Sequence, residues 1–395
     1  MRRETNRAVK GNTFNQMKII RFGIIGCGLM GREFASAAAR WCHLLDIDVR
    51  PEIVAICDKN ADLFGWYKNN FPNIKFYTSE HKELLARADV DAIYCAVPHN
   101  LHAGIYEDII KAGKHLLGEK PFGIDAADNA KILEVIRNHP NVFVRCSSEF
   151  PFFPAVQRIV QAAKAGKFGT ILNVESGFHH SSDLDPNKPI NWKRMIKFNG
   201  EYGCMGDLGM HTLHVPLRLG WNPQDVRAVL SKVVKERPGR DGKMESCETW
   251  DNAILLCNTQ TKQGSFPMTV TTRRISPGDS NTWFLKVHGT ALSMEFSTRN
   301  PKTLRWMEYS PGGEQAWKME DVSYTPIFKT ITGSIFEFGF TDSILQMWAA
   351  FCVELTRGPG SVSFGCVTPE ETRLSHQLFT AALDSQRKSQ VVEVK

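Results

Sequence analysis

The sequence has no long apolar run and no concentration of charge of one sign, and each absence excludes a class of protein. No stretch approaches the roughly 18 consecutive apolar residues that a membrane-spanning helix requires, so a membrane is not an expected partner. The net charge of +6 comes from 48 basic and 42 acidic residues that are spread along the chain. No basic stripe alternates with aromatic residues, so nucleic acid is not an expected partner either.

Paired cysteines are also missing. The ten cysteines are scattered, and no two of them form a C-x-x-C pair. Most of them lie inside apolar, strand-like runs, where a reduced cysteine behaves as a small hydrophobic residue. This usage favours a reducing compartment over a disulfide framework or a zinc site, and we expect a cytoplasmic protein.

The length of 395 residues suits two domains, since one domain holds roughly 150 residues. Residues 1–16 carry a twin arginine, but no apolar segment of the kind found in export signals follows it before the first predicted strand. We interpret residues 1–16 as a polar N-terminal tail. Met17 is then a candidate for the natural start.

Short apolar runs alternate with segments of helical periodicity in the first part of the chain. The strand KIIRFGIIG is followed by a glycine turn and the helix REFASAAARWCHLL, and the alternation continues through DAIYCAV and HLLGE to VFVRCS. This pattern is typical of a parallel sheet covered by helices on both faces. We predict a doubly wound α/β domain over residues 17–145.

The pattern changes in residues 146–395. Longer β-like runs such as TILNVESGFHH, WDNAILLCNT and FPMTVTTRRI follow one another with few helices between them. They suit an open, mainly antiparallel sheet, and two helical patterns, DSILQMWAAFCVEL and PEETRLSHQLFTAALDSQRK, close the chain. We predict a second, α+β domain there.

A glycine motif lies between the first predicted strand and the first predicted helix. FGIIGCGLMG supplies Gly26, Gly28 and Gly31 as G-x-G-x-x-G, with Leu29 and Met30 inside the motif. The three glycines allow a tight turn, a close approach to a pyrophosphate, and packing of the helix on the strand. The motif predicts a dinucleotide site in a Rossmann fold, with all five residues as cofactor contacts.

Asp58 ends the next predicted strand, in AICDKN. A carboxylate at this point can accept hydrogen bonds from the adenosine ribose hydroxyls and would repel a 2′-phosphate, which favours NAD. The neighbouring Lys59 could offset that repulsion, so NADP stays open. The alternative is a glycine turn followed by an ordinary helix-capping aspartate.

Polar residues follow the next two long strands and reach the carboxyl edge of the sheet, where doubly wound folds bind ligands. The expected cofactor contacts at this edge are Pro98, Asn100, His102, Glu119 and Lys120. Pro121 restrains Lys120 toward extended geometry, so we expect the lysine to point into the crevice. His102 could equally be a helix-start histidine without a ligand, and Lys120 an ordinary surface lysine.

The segment GEYGCMGDLGMHTLH places Asp207, His211 and His214 at spacings of four and three, on one face of a predicted helix. Three interpretations compete: a metal site, polar residues that are merely hydrogen-bonded in the core, and a catalytic group. A nicotinamide-dependent enzyme needs a proton acceptor more than a metal. We therefore favour the catalytic interpretation and expect no metal.

Taken in order, GCGLMG, CDKN, AVPHNLH, GEKPFG and GDLGMH resemble the motifs of the glucose-fructose oxidoreductase and inositol dehydrogenase (Gfo/Idh/MocA) family. The resemblance covers nearly the whole chain from Met17. It implies that Lys120, Asp207 and His211 lie around the reacting carbon and that the Lys120–Pro121 peptide bond is cis. It also implies that residues 146–395 bind substrate and form a homo-oligomer, a dimer or tetramer, through the exposed face of their sheet.

Three positions depart from the usual pattern of that family. Glu201 and Tyr202 stand in a stretch that usually holds glycines, His214 stands where an aspartate is common, and Pro151 replaces an arginine. All three lie near the expected substrate pocket. The substrate of any single relative therefore does not transfer to this chain.

The resemblance implies an oxidoreductase that transfers hydride between a secondary alcohol of a sugar, glycoside or cyclic polyol and NAD(P). His211 would be the general base, Asp207 would orient it, and Lys120 would stabilise the developing alkoxide. The expected substrate contacts are Lys120, His179, Lys193, Tyr202, Asp207 and His211, with His180 and Asp183 as further polar residues nearby. Two alternatives remain, a redox-neutral glycosidase that uses NAD for oxidation and elimination, and a non-catalytic NAD-binding sensor.

Overall fold

The computed structural model describes residues 17–261, 264–322, 326–333, 336 and 338–395. The predicted polar tail, residues 1–16, lies outside the described residues.

A six-stranded parallel sheet forms from the first part of the chain. Its strands are β1 (Lys18–Ile25), β2 (Val49–Cys57), β3 (Phe76–Thr78), β4 (Ala92–Cys95), β5 (His115–Gly118) and β6 (Val144–Cys146). They lie in the order β3-β2-β1-β4-β5-β6, which confirms the doubly wound fold. The strand order reverses between β1 and β4, so the ligand crevice of such a sheet is expected at the carboxyl ends of these two strands.

Helices connect these strands. They are α1 (Leu29–Ala39), α2 (Phe64–Asn70), α3 (His81–Leu85), α4 (His102–Lys111) and α5 (Ala126–Asn138). Helix α1 begins three residues earlier than the predicted helix REFASAAARWCHLL and ends earlier, because the chain turns at Arg40 into a short 3-10 segment, Trp41–His43. The indole of Trp41 donates a hydrogen bond of 2.8 Å to the carbonyl of Val49, which ties this turn to β2.

The second part of the chain builds a nine-stranded sheet and a short hairpin. Its strands are β7 (Ile171–His179), β8 (Asn222–Ser231), β9 (Glu236–Pro238), β10 (Met244–Ser246), β11 (Asn252–Thr261), β12 (Gly264–Arg273), β13 (Thr282–Gly289), β14 (Leu292–Ser297), β15 (Thr303–Glu308), β16 (Lys318–Asp321) and β17 (Val392–Glu393). The large sheet has the order β16-β15-β14-β13-β7-β12-β11-β8-β17, and β9 pairs with β10. Strands β7 and β12 pair in parallel, whereas the neighbouring pairs are antiparallel. The predicted mainly antiparallel sheet is confirmed.

Five helices belong to this second part: α6 (Pro154–Lys164), α7 (Ile196–Asn199), α8 (Cys204–Arg218), α9 (Phe340–Arg357) and α10 (Pro369–Lys388). Helix α8 packs between the large sheet and α10. Gly209 makes this approach possible, because a Cβ at that position would lie 2.5 Å from the ring of Phe379 on α10. Among the described residues, no helix is both long enough and apolar enough to cross a membrane.

The last two long helices return to the first sheet. Trp348 on α9 packs against the rings of Phe22 and Phe34, which belong to β1 and α1. Helix α10 packs against α5 as well as α8. A boundary at residues 145/146 therefore falls within the last strand of the first sheet, β6, and does not divide the core in space.

Candidate active site

A cavity of about 550 Å³ opens beside the carboxyl ends of β1 and β4, between the glycine loop and α8. Nine of the residues predicted from the sequence line it: Gly28, Leu29, Met30, Pro98, Glu119, Lys120, Lys193, Asp207 and His211. The other predicted residues do not line it: Gly26, Gly31, Asp58, Asn100, His102, His179 and Tyr202. The cavity therefore joins the predicted cofactor half to the predicted substrate half.

The glycine loop has the geometry of a dinucleotide cradle. Gly26 has φ 98°, and a Cβ there would lie 2.5 Å from the carbonyl oxygen of Ala96. A Cβ on Gly31 would lie 2.2 Å from the carbonyl oxygen of Gly26, so neither position accepts a larger residue. Around Gly28, by contrast, a Cβ would meet nothing within 4 Å. The loop thus leaves open space in front of the N-terminus of α1, where a pyrophosphate fits.

Asp58 stabilises this loop through hydrogen bonds. One carboxylate oxygen accepts a hydrogen bond of 2.7 Å from the backbone N–H of Cys27, and the other accepts one of 2.8 Å from Asn60. The ammonium group of Lys59 lies 2.6 Å from a carboxylate oxygen of Glu80. Lys59 is thus paired with Glu80, and this ion pair would have to break before Lys59 could bind a 2′-phosphate.

His102, a predicted cofactor contact, lies outside the cavity wall. Its side chain is fully buried, its Nε2 donates to the carbonyl of Val97 at 3.1 Å, and its Nδ1 accepts from the N–H of Gly123 at 3.4 Å. Because both ring nitrogens are used, the helix-start interpretation fits better. Asn100 likewise lies outside the cavity wall.

His99 lines the cavity in place of these two residues. Its ring packs edge-on against the indole of Trp192, with centroids 4.9 Å apart. Its Nδ1 is buried without a hydrogen-bond partner among the described residues. The sequence motif AVPHNLH contains this histidine, but the prediction named Pro98, Asn100 and His102, of which Pro98 lines the cavity.

Lys120 and Asp207 meet across the cavity. The Lys120–Pro121 peptide bond is cis, as the resemblance implied. The Lys120 ammonium donates to the backbone carbonyl of Asp207 at 2.7 Å and to its carboxylate at 2.8 Å. Burial lowers the pKa of Lys120 from its ordinary value. The lysine therefore lies inside the site, and the alternative of an ordinary surface lysine is wrong.

Three cations share the Asp207 carboxylate, which is only 1% exposed. Besides Lys120, Lys193 lies 3.1 Å from the same oxygen and Arg274 binds the other oxygen. Burial, and then the nearby charge of Arg274, holds the pKa of Lys193 well below its usual range. The site thus concentrates positive charge around one buried carboxylate.

His211 lies one helical turn after Asp207 on α8. Its backbone carbonyl accepts a hydrogen bond of 2.9 Å from the indole of Trp283, which holds this turn of the helix against β13. Its Nδ1 lies 3.3 Å from the hydroxyl of Ser148 and 3.8 Å from a carboxylate oxygen of Glu149. Burial, and then the charge of Lys120, holds the pKa of His211 well below its usual value, so the imidazole is neutral and can accept a proton.

The three residues predicted to share one face of α8, Asp207, His211 and His214, do not form one cluster. Asp207 turns to the three cations, whereas His214 accepts a hydrogen bond of 3.3 Å from Arg218 and packs on the ring of Phe364, outside the cavity wall. No group of three potential metal ligands occurs in the part of the chain that the structure describes.

Two predicted substrate contacts, His179 and Tyr202, lie outside the cavity wall. His179 bonds to the hydroxyl of Thr271 at 2.8 Å and lies outside the cavity wall, whereas its neighbour His180 lines it. Successive residues at the end of a strand point to opposite faces, and the sequence did not reveal which histidine points inward. Tyr202 bonds instead to the hydroxyl of Thr380 on α10, at 2.6 Å.

Arg274 and Glu149 were missed in the sequence. Arg274, directly after β12, binds Asp183 as well as Asp207, and Arg194 in turn binds Asp183. Their one sequence signal was their position at the end of a predicted strand or apolar run. Such a signal is weak, because charged residues are common at strand ends.

Two family models match the chain. An oxidoreductase family with an NAD-binding Rossmann fold, GFO_IDH_MocA, matches residues 20–146. The GFO/IDH/MocA C-terminal domain matches residues 156–295. The two models together cover more than half of the chain.

Known proteins resemble the chain over much of its length. Levoglucosan dehydrogenase of Pseudarthrobacter phenanthrenivorans is 26% identical over 234 residues, which are 59% of this chain and 59% of that protein. Inositol 2-dehydrogenase of Rhizobium meliloti is 23% identical over 289 residues, which are 72% of this chain and 78% of that protein. The matched segment thus spans less than two thirds of the levoglucosan dehydrogenase.

A solved structure of levoglucosan dehydrogenase in complex with NADH is similar to this structure with a TM-score of 0.85. The identity is 20%, and the alignment covers 96% of this chain and 100% of that one. A likeness at this level of identity shows that the two proteins share a fold.

Proposed function

Because the chain belongs to the Gfo/Idh/MocA family of NAD-binding oxidoreductases, we propose that it oxidises a secondary alcohol of a sugar, glycoside or cyclic polyol. The observation that carries this proposal is the placement of Lys120, Asp207 and His211 in one cavity with the glycine loop. The same space is then surrounded by a proton acceptor (His211), a cation (Lys120) and a carboxylate that can accept a hydrogen bond from a hydroxyl (Asp207). This is the set of groups that alcohol oxidation requires.

The cofactor of the proposed reaction is NAD. Gly28 and the N-terminus of α1 would hold its pyrophosphate, and Asp58 would accept hydrogen bonds from the adenosine ribose. When bound, NAD supplies the acceptor for the hydride that leaves the carbinol carbon. Pro98 and Glu119 line the cavity beyond the loop, where the reactive end of the cofactor would lie.

The residues of α8 and of the loop after β5 handle the hydroxyl group. His211 is neutral in its buried site and can take the hydroxyl proton on Nε2, since Nδ1 faces Ser148 and Glu149. Lys120 would stabilise the negative charge that develops on the substrate oxygen. Asp207 holds Lys120 in place through two hydrogen bonds and can accept one from a neighbouring substrate hydroxyl.

Cofactor choice gives one prediction. The wild-type protein should use NAD in preference to NADP, and Asp58→Ser should reduce the NAD/NADP ratio of kcat/KM by roughly tenfold or more, because the carboxylate that repels a 2′-phosphate is gone. The matched control is Lys59→Ala, which should leave the ratio nearly unchanged because this exposed lysine is paired with Glu80. Initial rates with both cofactors measure the effect. This account would be contradicted if Lys59→Ala lowered kcat/KM for NADP by as large a factor as Asp58→Ser raised it.

The proposed activity is tested by NADH absorbance. The purified protein meets sugars, glycosides and inositols in turn, with levoglucosan and myo-inositol included because two relatives are named for such substrates. Growth of NADH with one compound supports the dehydrogenase. Cleavage of a glycoside without net NADH would instead indicate the redox-neutral glycosidase, and NAD binding without any turnover would indicate a sensor.

We also propose that the protein is a cytoplasmic homo-oligomer. All ten cysteines are free, and all except Cys42 are buried, which suits a reducing compartment. The family resemblance supports assembly through the exposed face of the large sheet, where Val229 on β8 and Leu256 on β11 are about half exposed. A dimeric or tetrameric mass by light scattering would agree with this proposal, and a monomeric mass would contradict it.

A further inference from the structure

Glu149 is a buried carboxyl group that the proposed reaction leaves without a role. It lies after β6, lines the cavity, and is only 5% exposed. One of its carboxylate oxygens lies 3.8 Å from Nδ1 of His211, on the side of the imidazole opposite to the proposed substrate nitrogen. Among the described residues, no lysine or arginine forms an ion pair with it.

The surroundings of Glu149 favour its protonated form near neutral pH. The charged and titratable groups that face it are Glu119 and Lys120 after β5, Tyr94 on β4, and His211 on α8. Burial, and then the negative charge of Glu119, raises the pKa of Glu149 to about 8, although Lys120 acts in the opposite direction. The carboxyl group therefore changes charge within the range of ordinary assays.

The state of Glu149 matters because a neutral imidazole carries its proton on one nitrogen only. An ionised Glu149 accepts a hydrogen bond from Nδ1–H of His211, which leaves Nε2 unprotonated. A protonated Glu149 donates to Nδ1, which leaves the proton on Nε2. The hydroxyl of Ser148, 3.3 Å from Nδ1, can donate or accept and thus suits either tautomer.

We propose that Glu149 is the positioning residue that selects the tautomer of His211, and thereby decides whether this imidazole can accept the proton of the substrate hydroxyl. The proposal rests on the proposed function of His211 as general base. The separation of 3.8 Å exceeds a normal hydrogen bond, which is about 2.9 Å, so the proposal requires the carboxylate to move closer to Nδ1 in the reacting complex.

The proton balance follows from this arrangement. During oxidation the hydroxyl proton moves to Nε2 of His211, and the proton on Nδ1 moves to the Glu149 carboxylate. The O–H and C–H bonds of the carbinol break and a carbonyl forms, and the hydride would pass to bound NAD. Before the next cycle the proton on Nε2 leaves for solvent and the Glu149 proton returns to Nδ1, which restores the starting tautomer, so one proton is released for each alcohol oxidised.

The first test is the pH dependence of alcohol oxidation in the wild-type protein and in Glu149→Gln. Wild-type kcat/KM should rise with pH and level off above about 8, because only the ionised carboxylate sets the active tautomer. Glu149→Gln should lose this rise and be slower by roughly 10- to 100-fold at high pH, which is the usual loss when the partner of a functional imidazole is removed.

A matched control is Glu33→Gln, which removes a carboxylate from the cofactor end of the same cavity and should keep the midpoint of the wild-type pH profile. A Glu149→Gln variant with the wild-type pH profile would overturn the proposal.

The second test needs no substrate. Nitrogen-15 NMR of histidine-labelled protein, with His211 assigned by the spectrum of His211→Asn, reports which nitrogen carries the proton. The His211 signals should switch from the Nε2–H to the Nδ1–H tautomer as pH rises through about 8, and Glu149→Gln should show no switch. If the switch occurs in a protein that oxidises no alcohol, Glu149 sets the tautomer of His211 but the proposed function is wrong. The absence of a switch in an active wild-type protein would reject the control by Glu149 alone.

Discussion

Replacing His211 by alanine should lower kcat for alcohol oxidation by a factor of roughly 10² to 10⁴ while NAD still binds. The imidazole is neutral because burial, and then the charge of Lys120, lower its pKa, so its unprotonated ring nitrogen can accept a proton. It lies on α8 and not on the glycine loop, and the loop keeps its hydrogen bond from Cys27 to Asp58 in the variant. Steady-state rates together with a fluorescence titration of NAD separate the two effects.

The matched control is His214→Ala, one turn further along the same helix. His214 is fully buried but lies outside the cavity wall, where it contacts Arg218 and Phe364. This variant should lose stability and yet keep kcat per folded molecule, with the folded fraction measured by circular dichroism. A His211→Ala protein with wild-type turnover would remove His211 from the mechanism.

Asp207→Asn should lower the free energy of unfolding by about 3 to 5 kcal/mol, which is typical when one member of a buried ion pair is removed. The carboxylate is 1% exposed and is the shared partner of Lys120, Lys193 and Arg274. Without it, buried Arg274 and two partly buried lysines repel one another. Urea denaturation monitored by fluorescence, with an unchanged m-value, measures the loss.

The free energy of unfolding that Asp207→Asn loses should become smaller as pH rises. The pKa of Lys193 already lies well below its usual value in the folded protein, so this lysine sheds its proton most readily and relieves the repulsion at alkaline pH. The control is Asp91→Asn, which breaks the partly exposed pair with Arg21 at 2.6 Å and should change stability by only about 0 to 1 kcal/mol. A loss at Asp207 no larger than at Asp91 would contradict this account of the charge cluster.

The architecture was predictable because its signals are local. An apolar run of five to seven residues, a glycine turn and an amphipathic segment are read within one stretch of chain, and the glycine loop and the edge of the parallel sheet follow from them. Gly28, Pro98 and Lys120 were placed at the cavity for this reason. The resemblance supplied the cis bond after Lys120 and the prediction that Asp207 and His211 act on the same substrate.

The orientation of single side chains was not predictable. His179 and His180 are neighbours at the end of one strand, and His99 lies in the same motif as the predicted contact His102, but of these four only His99 and His180 line the cavity. A shift of one residue in strand register exchanges the inner and outer faces, and the sequence does not state the register. Tyr202 was mistaken for a pocket residue because its partner, Thr380, lies on a distant helix.

The sequence by itself determined that this protein has a dinucleotide-binding sheet followed by a mainly antiparallel one, because hydrophobic periodicity and glycine spacing act over a few residues. Only the tertiary structure decided which charges meet. Arg274 reaches Asp207, and Glu149 reaches His211, across elements that are far apart in the chain. The energy of a buried charge depends on everything packed around it, so the protonation states that govern this site arise only when the two sheets and α8 come together.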